Sequence, residues 1–194
     1  LATIFSQSRL RVLLIDCDLR RPSAHLSLGL PQSPGLSDAL QSRREIQDVV
    51  IRQLGENGPN FHIIPAGDAP DSPAELLETP KMKQIIQWAR EEYDMIVIDT
   101  PPVLAVTDAQ IIASMADGVA LTALSGKTRK HSVRRAWELL SEIRNNLIGV
   151  ILNNVRHEAH SYGYSYGYGQ SRDSEDSNRR EARPAASDRS SAKS

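Results

Sequence analysis

Apolar residues along this chain fall into short blocks that stop abruptly at Asp, Asn or Pro. Five blocks rich in Val, Ile and Leu read as strands: 11–16 ("RVLLID"), 61–65 ("FHIIP"), 94–99 ("DMIVID"), 118–124 ("GVALTAL") and 147–153 ("LIGVILN"). Runs this apolar suit strands covered on both faces. Between them apolar positions recur at helical spacing, which predicts helices over 1–8, 36–41, 46–54, 74–78, 80–92, 107–115 and 129–145. Two of these have legible starts. In "DSPAELL", Ser72 precedes Pro73 and Glu75 follows three residues on, and Thr107 or Asp108 can cap the segment after "PPVLAV". Strands alternating with helices predict an α/β fold with a mostly parallel sheet flanked by helices.

The pattern ends near residue 157. "SYGYSYGYGQ" places Tyr162, Tyr164, Tyr166 and Tyr168, four of the chain's five tyrosines, within seven positions. The remaining "QSRDSEDSNRREARPAASDRSSAKS" has no Val, Ile, Leu, Met or aromatic residue, so burial cannot offset its ordering entropy, and a disordered tail is expected. The chain therefore divides into a folded core over 1–156, a tyrosine cluster over 157–169 and a tail over 170–194.

Composition narrows the function. With 194 residues, 40% of them hydrophobic, the chain has room for one well-buried domain plus extensions. A formal net charge of -1 argues against a nucleic-acid partner, whose phosphates are met by many uncompensated Lys and Arg. The lone Cys17 excludes an internal disulfide, and no apolar run approaches the ~20 residues that span a bilayer. A cytoplasmic location is the expectation.

In open α/β sheets ligands bind beyond the carboxyl ends of the strands, so the residues that end the apolar blocks carry the chemistry. Carboxylates stand there twice. "VLLIDCDLRRP" sends Asp16 and Asp18 off the first strand, followed by Arg20 and Arg21. "MIVIDTPPV" ends a second apolar run on Asp99, with Pro101 and Pro102 turning the chain away. Asp is also a common turn residue at strand ends. Two such ends, in the patterns D-x-D-x-R and D-x-P-P, suit a hydrated Mg²⁺ that accompanies a nucleotide, and phosphoryl transfer is the reaction class they point to.

These segments also carry a resemblance. "LLIDCDLRRP" resembles the modified second Walker motif, and "IVIDTPPVLAVTDA" the Walker B segment, of the bacterial tyrosine kinases that regulate capsule and exopolysaccharide production. "IPAGDAPDSPAELLETPKM" is similar to the segment between those motifs, with Ser72 where the family has Asn, and "LIGVILNNV" resembles its last core strand. The resemblance covers roughly residues 1–169 and implies ATP and Mg²⁺ as cofactors. It implies that Asp16 binds the metal shell or helps deprotonate the attacking tyrosine, that Asp18 supports the metal's waters, and that Asp99 is the Walker B carboxylate. It further implies that Arg20 meets phosphate or a neighbouring subunit, that Asn153 contacts adenine, and that Tyr162, Tyr164, Tyr166 and Tyr168 are phosphoacceptors. The implied partners are its own subunits in a ring-like homo-oligomer, phosphorylated in trans, a membrane activator upstream in the same chain or separate, and polysaccharide export machinery. The implied location is the inner face of the bacterial membrane.

One motif is absent. G-x-x-x-x-G-K-[ST] occurs nowhere, and its nearest approach, "SGKT" at 125–128, has Leu121 where the first Gly belongs and reads as the turn before a helix. "LATIFSQSR" resembles the helix just downstream of the family's P-loop lysine, so the expectation is a partial nucleotide-binding core whose first strand and P-loop are missing. The lost strand would sit beside the Walker B strand, and the chain alone would bind ATP-Mg poorly and be inactive. Two other readings stay open: a Par/Min-like positioning ATPase, which has no use for the tyrosine cluster, and a non-catalytic phosphoacceptor or scaffold. The remaining features have plain readings. His157 and His160 read as solvated, "RKHSVRRAW" as the exposed side of a helix, Cys17 as a packed thiol, and Trp88 and Trp137 as packed against the sheet.

Overall fold

A computed structural model describes residues 1–52, 61–143 and 147–155. The tyrosine cluster, the tail, His157 and His160 lie outside the described residues, so those expectations are not addressed by it.

The described chain runs α1 (Ala2–Ser6), β1 (Val12–Asp16), α2 (Ala24–Leu28), α3 (Leu36–Leu40), a 3₁₀ turn (Ile46–Val49), β2 (His62–Ile64), α4 (Pro73–Glu78), α5 (Pro80–Glu92), β3 (Met95–Asp99), α6 (Asp108–Met115), β4 (Val119–Leu124), α7 (Lys130–Ile143) and β5 (Leu147–Asn153). All five expected strands form, and every pairing between them is parallel.

Side-chain alternation explains why β1 is buried on both faces. Leu13 and Ile15 join Ile64, Ile96 and Ile98 in a core shared with α3, α4 and α5, whereas Val12 and Leu14 join Ile63, Met95 and Val97 under Ala2 and Phe5 of α1. Leu13, Ile15, Ile63 and Ile64 are fully buried, and each such side chain contributes roughly 1.5–3 kcal/mol. α5 covers its side with Met82, Ile85, Ile86 and Ala89, one stripe at helical spacing.

The sheet is interrupted. β2, β1 and β3 form one sheet in that order, and β4 and β5 form another. Among the described residues β3 therefore pairs only with β1, and β4 only with β5. Between their free edges lies a cavity of about 1000 Å³ lined by Ile96 and Ile98 of β3, Val119 and Leu121 of β4, and Thr100 to Leu104 beyond β3.

Three local expectations need correction. The predicted 46–54 helix is a single 3₁₀ turn, after which the β-branched Val50 and Ile51 extend and Ile51 bridges antiparallel to Ile63, residues 53–54 being outside the described set. α2 was not expected, its five residues being too few to show a period. Trp137 is 38% exposed rather than packed, because Ala136 and Leu140 hold the buried stripe of α7 and the indole lies beside it. Trp88, by contrast, is half-buried against the core as expected.

Candidate active site

β1 and β3 are hydrogen-bonded in a register that pairs Asp16 with Asp99. Paired residues on parallel strands project to the same face, so both carboxylates leave the sheet side by side at its carboxyl edge. The ladder continues one step further, with the Cys17 amide donating to the Asp99 carbonyl at 2.9 Å.

The loop after β1 is wound around its own acids. Asp16 is fully buried, and its two oxygens accept the amides of Asp18 at 3.1 Å and Ala24 at 3.3 Å. Asp18 Oδ1 in turn accepts the amides of Arg20 at 3.2 Å and Arg21 at 2.9 Å. This is the turn chemistry that short acidic side chains favour.

Among the described residues no salt bridge neutralises Asp16, Asp18 or Asp99. Burial pushes the Asp16 carboxyl above its ordinary range, the two amide hydrogen bonds pull it back in part, and the charges of Asp99 and Asp18 push it up again. Asp99 is exposed at its tip, yet desolvation by the surrounding loops raises it too, opposed by the Thr100 amide and assisted by Asp18. Cys17 is fully buried, as a packed thiol should be, and burial, then the charges of Asp16 and Asp99, push its thiol well above the ordinary value.

Hard carboxylate oxygens suit Mg²⁺. Among the described residues no three His, Cys, Asp or Glu side chains stand close enough to enclose a metal directly. The donor set therefore fits an ion that keeps most of its waters and meets one or two carboxylates, as Mg²⁺ with a nucleotide does, and not an all-protein cage.

Arg20 has a partner that the sequence reading did not identify. Its Nε donates to Asp108 Oδ2 at 2.8 Å and its Nη2 to Asp108 Oδ1 at 3.0 Å, a two-pronged ion pair between residues 88 positions apart. Asp108 read only as a helix cap; nothing local marks a contact over that separation. Asn153 ends β5, is exposed, and has its carbonyl bonded by the Ser125 amide at 2.9 Å. "SGKT" forms the expected turn, with Gly126 at φ 72° and Thr128 accepting the Leu124 amide at 2.9 Å before α7 begins. Arg129, Lys130, His131, Arg134 and Arg135 are exposed along α7, as its charge pattern predicts. No described helix is long and apolar enough to cross a membrane.

The wider likenesses agree with this geometry. A family described as an AAA domain matches residues 1–151. Tyrosine-protein kinase YwqD of Bacillus subtilis is 39% identical over 164 residues, which are 84% of this chain and 68% of that protein. Tyrosine-protein kinase etk of Escherichia coli K12 is 36% identical over 155 residues, 80% of this chain but 21% of its own length. The solved kinase domain of Escherichia coli tyrosine kinase ETK superposes with a TM-score of 0.76 at 36% identity, covering 86% of this chain and 64% of that one. The chain thus spans about two thirds of one relative and about a fifth of the other. On the strength of these matches and of two acidic strand ends in lateral register, the chain belongs to the bacterial tyrosine-protein kinase family, built on an AAA domain.

Proposed function

We propose that this chain is the catalytic core of a protein-tyrosine autokinase that transfers the γ-phosphate of ATP to Tyr162, Tyr164, Tyr166 and Tyr168 and thereby regulates polysaccharide synthesis and export. The observation that carries the reading is the lateral pairing of Asp16 with Asp99, with Asp18 beside them, at the edge where the sheet opens.

Phosphoryl transfer asks a protein for positioning and charge neutralisation. Mg²⁺ bound with ATP would supply the positive charge that the three carboxylates lack. Asp16, buried and held by two amides, would orient that charge and help take the proton of an incoming tyrosine hydroxyl. Asp18 and Asp99 would hold the waters of that ion, and Asn153 at the end of β5 would meet the adenine. The phosphate-cradling amides would come on one further parallel strand, for which the apolar cavity between β3 and β4 offers a place. Each phosphate on the tyrosine cluster adds about -1.5 to -2 charges, so successive transfers make neighbouring copies in a ring repel one another.

The test compares this chain with a longer product of its reading frame that includes the cradle, both incubated with Mg-ATP and probed for phosphotyrosine. The longer product is expected to give a signal that replacing the four tyrosines by Phe abolishes, and this chain alone none. Robust labelling of this chain would remove the need for the added strand. An unchanged signal in the Phe variant would reject the four acceptors, and a longer product that gives no phosphotyrosine at all would leave a positioning ATPase or scaffold.

A further inference from the structure

The loop that leaves Asp16 and the loop that leaves Asp99 are joined by one ion pair. Asp108 is the first residue of α6, reached directly from Asp99 through residues 100–107, and its side chain is fully buried. Arg20 belongs to the other loop, and its guanidinium grips both oxygens of Asp108 while its own amide is held by Asp18. A single residue thus connects the Asp108 carboxylate to the Asp18 carboxylate, and the Asp18 amide continues the chain to Asp16.

We infer that Asp108 is a positioning residue for the acidic site: by clamping Arg20 it fixes residues 17–24, and so sets Asp18 and Asp16 relative to Asp99. The inference rests on the reading of those three acids as the metal and phosphate site. Asp108 touches neither phosphate nor metal in this assignment; it acts through Arg20.

Three observations support the assignment. The geometry is the fork that a guanidinium makes with a carboxylate, which fixes direction as well as distance. Among the described residues Arg20 is the only side chain bonded to Asp108, so releasing it would leave a buried carboxylate without its counter-charge. An Arg20 that left to meet a phosphate would carry that cost, which argues that it stays on Asp108 and works through its main chain. Placement at the start of α6 adds the favourable end of the helix dipole to the carboxylate.

The experiment uses Asp108→Asn and the double variant Arg20→Gln/Asp108→Asn. The double variant carries no charge at either position, so no unpaired buried ion remains to destabilise the fold. The first readout is amide hydrogen exchange in this chain, followed by mass spectrometry. Both variants are expected to speed exchange over residues 17–24 by about tenfold, one decade for each ~1.4 kcal/mol of lost local protection, while 12–15 and 95–98 stay protected. The second readout is the binding midpoint of Mn²⁺ with ATP in the longer product, read by electron paramagnetic resonance, which should weaken about tenfold in both variants. Unchanged exchange at 17–24, acceleration spread equally over β1 and β3, or a double variant indistinguishable from wild type would each overturn the inference. A wild-type longer product that binds no Mn²⁺ with ATP would count against the proposed function, while exchange localised to 17–24 would still support the clamp.

Discussion

Asp16 and Asp99 end adjoining parallel strands in direct register, and each raises the proton affinity of this edge of the sheet by being buried or half-enclosed near another acid. Their folded carboxyls lie above the unfolded range near 3.9, so the folded chain holds more protons and stability falls as pH rises through that window, reaching its full deficit above the raised values. Asp99→Asn removes one of the two charges. Asp99 is exposed, so screening keeps the effect small: the variant's thermal midpoint should slightly exceed wild type at pH 7, and the difference should shrink toward pH 3, where both acids are largely protonated in either state. Equal midpoints at both pH values would deny the electrostatic cost, and the same variant should give no phosphotyrosine in the longer product.

At the opposite end of the same strands the sign reverses. Asp94 accepts the Arg11 amide at 2.8 Å and the guanidinium at 2.8 and 3.2 Å, and these hydrogen bonds, the side-chain ones first, hold its carboxyl at about 2. A depressed folded value stabilises above the unfolded one and is lost as pH falls from about 4 toward 2. Both side chains are solvent-exposed, so the pair is screened and its effect modest. Asp94→Asn should lower stability modestly and evenly across pH 5 to 7 and flatten the acid limb between about 4 and 2, so that its curve meets the wild-type curve near pH 2. A wild-type acid limb in the variant would contradict the assignment.

Backbone proximity beside β2 makes a sharper prediction. Gly35 lies against Gly67 so closely that a Cβ on it would overlap the Gly67 nitrogen and the Pro65 carbonyl oxygen, both main-chain atoms that cannot swing aside. The same crossing is laced by Leu36 N to Pro65 O at 2.7 Å, Gly67 N to Gln32 O at 3.0 Å and Asp38 Oδ2 on the Gly35 amide at 2.8 Å. Gly35→Ala should therefore cost about 3 kcal/mol in urea denaturation. At Gly29 an added Cβ would meet nothing beyond its chain neighbours within 4 Å, so only the φ of +67° opposes Ala, and the cost should be about 1 kcal/mol. Similar losses at the two sites would reject the close crossing.

How much of this was legible in the sequence follows the range of each interaction. β1 to β5 were readable because an apolar run is a local signal, and Asp16 and Asp99 because each ends such a run. That the two acids are neighbours depends on β1 pairing with β3, a contact over 83 residues that periodicity does not encode. The Arg20 to Asp108 pair was missed for the same reason, although both residues were already singled out for other roles. α2 and the 46–54 segment failed differently: five residues give less than two helical turns of pattern, and the β-branched Val50 and Ile51 favoured extension over the helix that the apolar spacing suggested.

The interrupted sheet yields the last prediction. Ile96, Ile98, Val119 and Leu121 line a space of about 1000 Å³ between β3 and β4, and apolar walls of that size without a packing partner forfeit dispersion contacts and admit small apolar molecules. This chain should therefore enhance the fluorescence of 8-anilinonaphthalene-1-sulfonate while keeping the far-ultraviolet circular dichroism of a folded α/β protein. In the longer product, an added strand would cover those walls, and the enhancement should drop severalfold. Ala120→Trp, which places a bulky side chain on the strand that borders the space, should reduce dye binding in this chain in the same direction. Dye binding that is equal in the two products, or that is insensitive to Ala120→Trp, would locate the dye elsewhere and remove the support the cavity gives to an inserted strand.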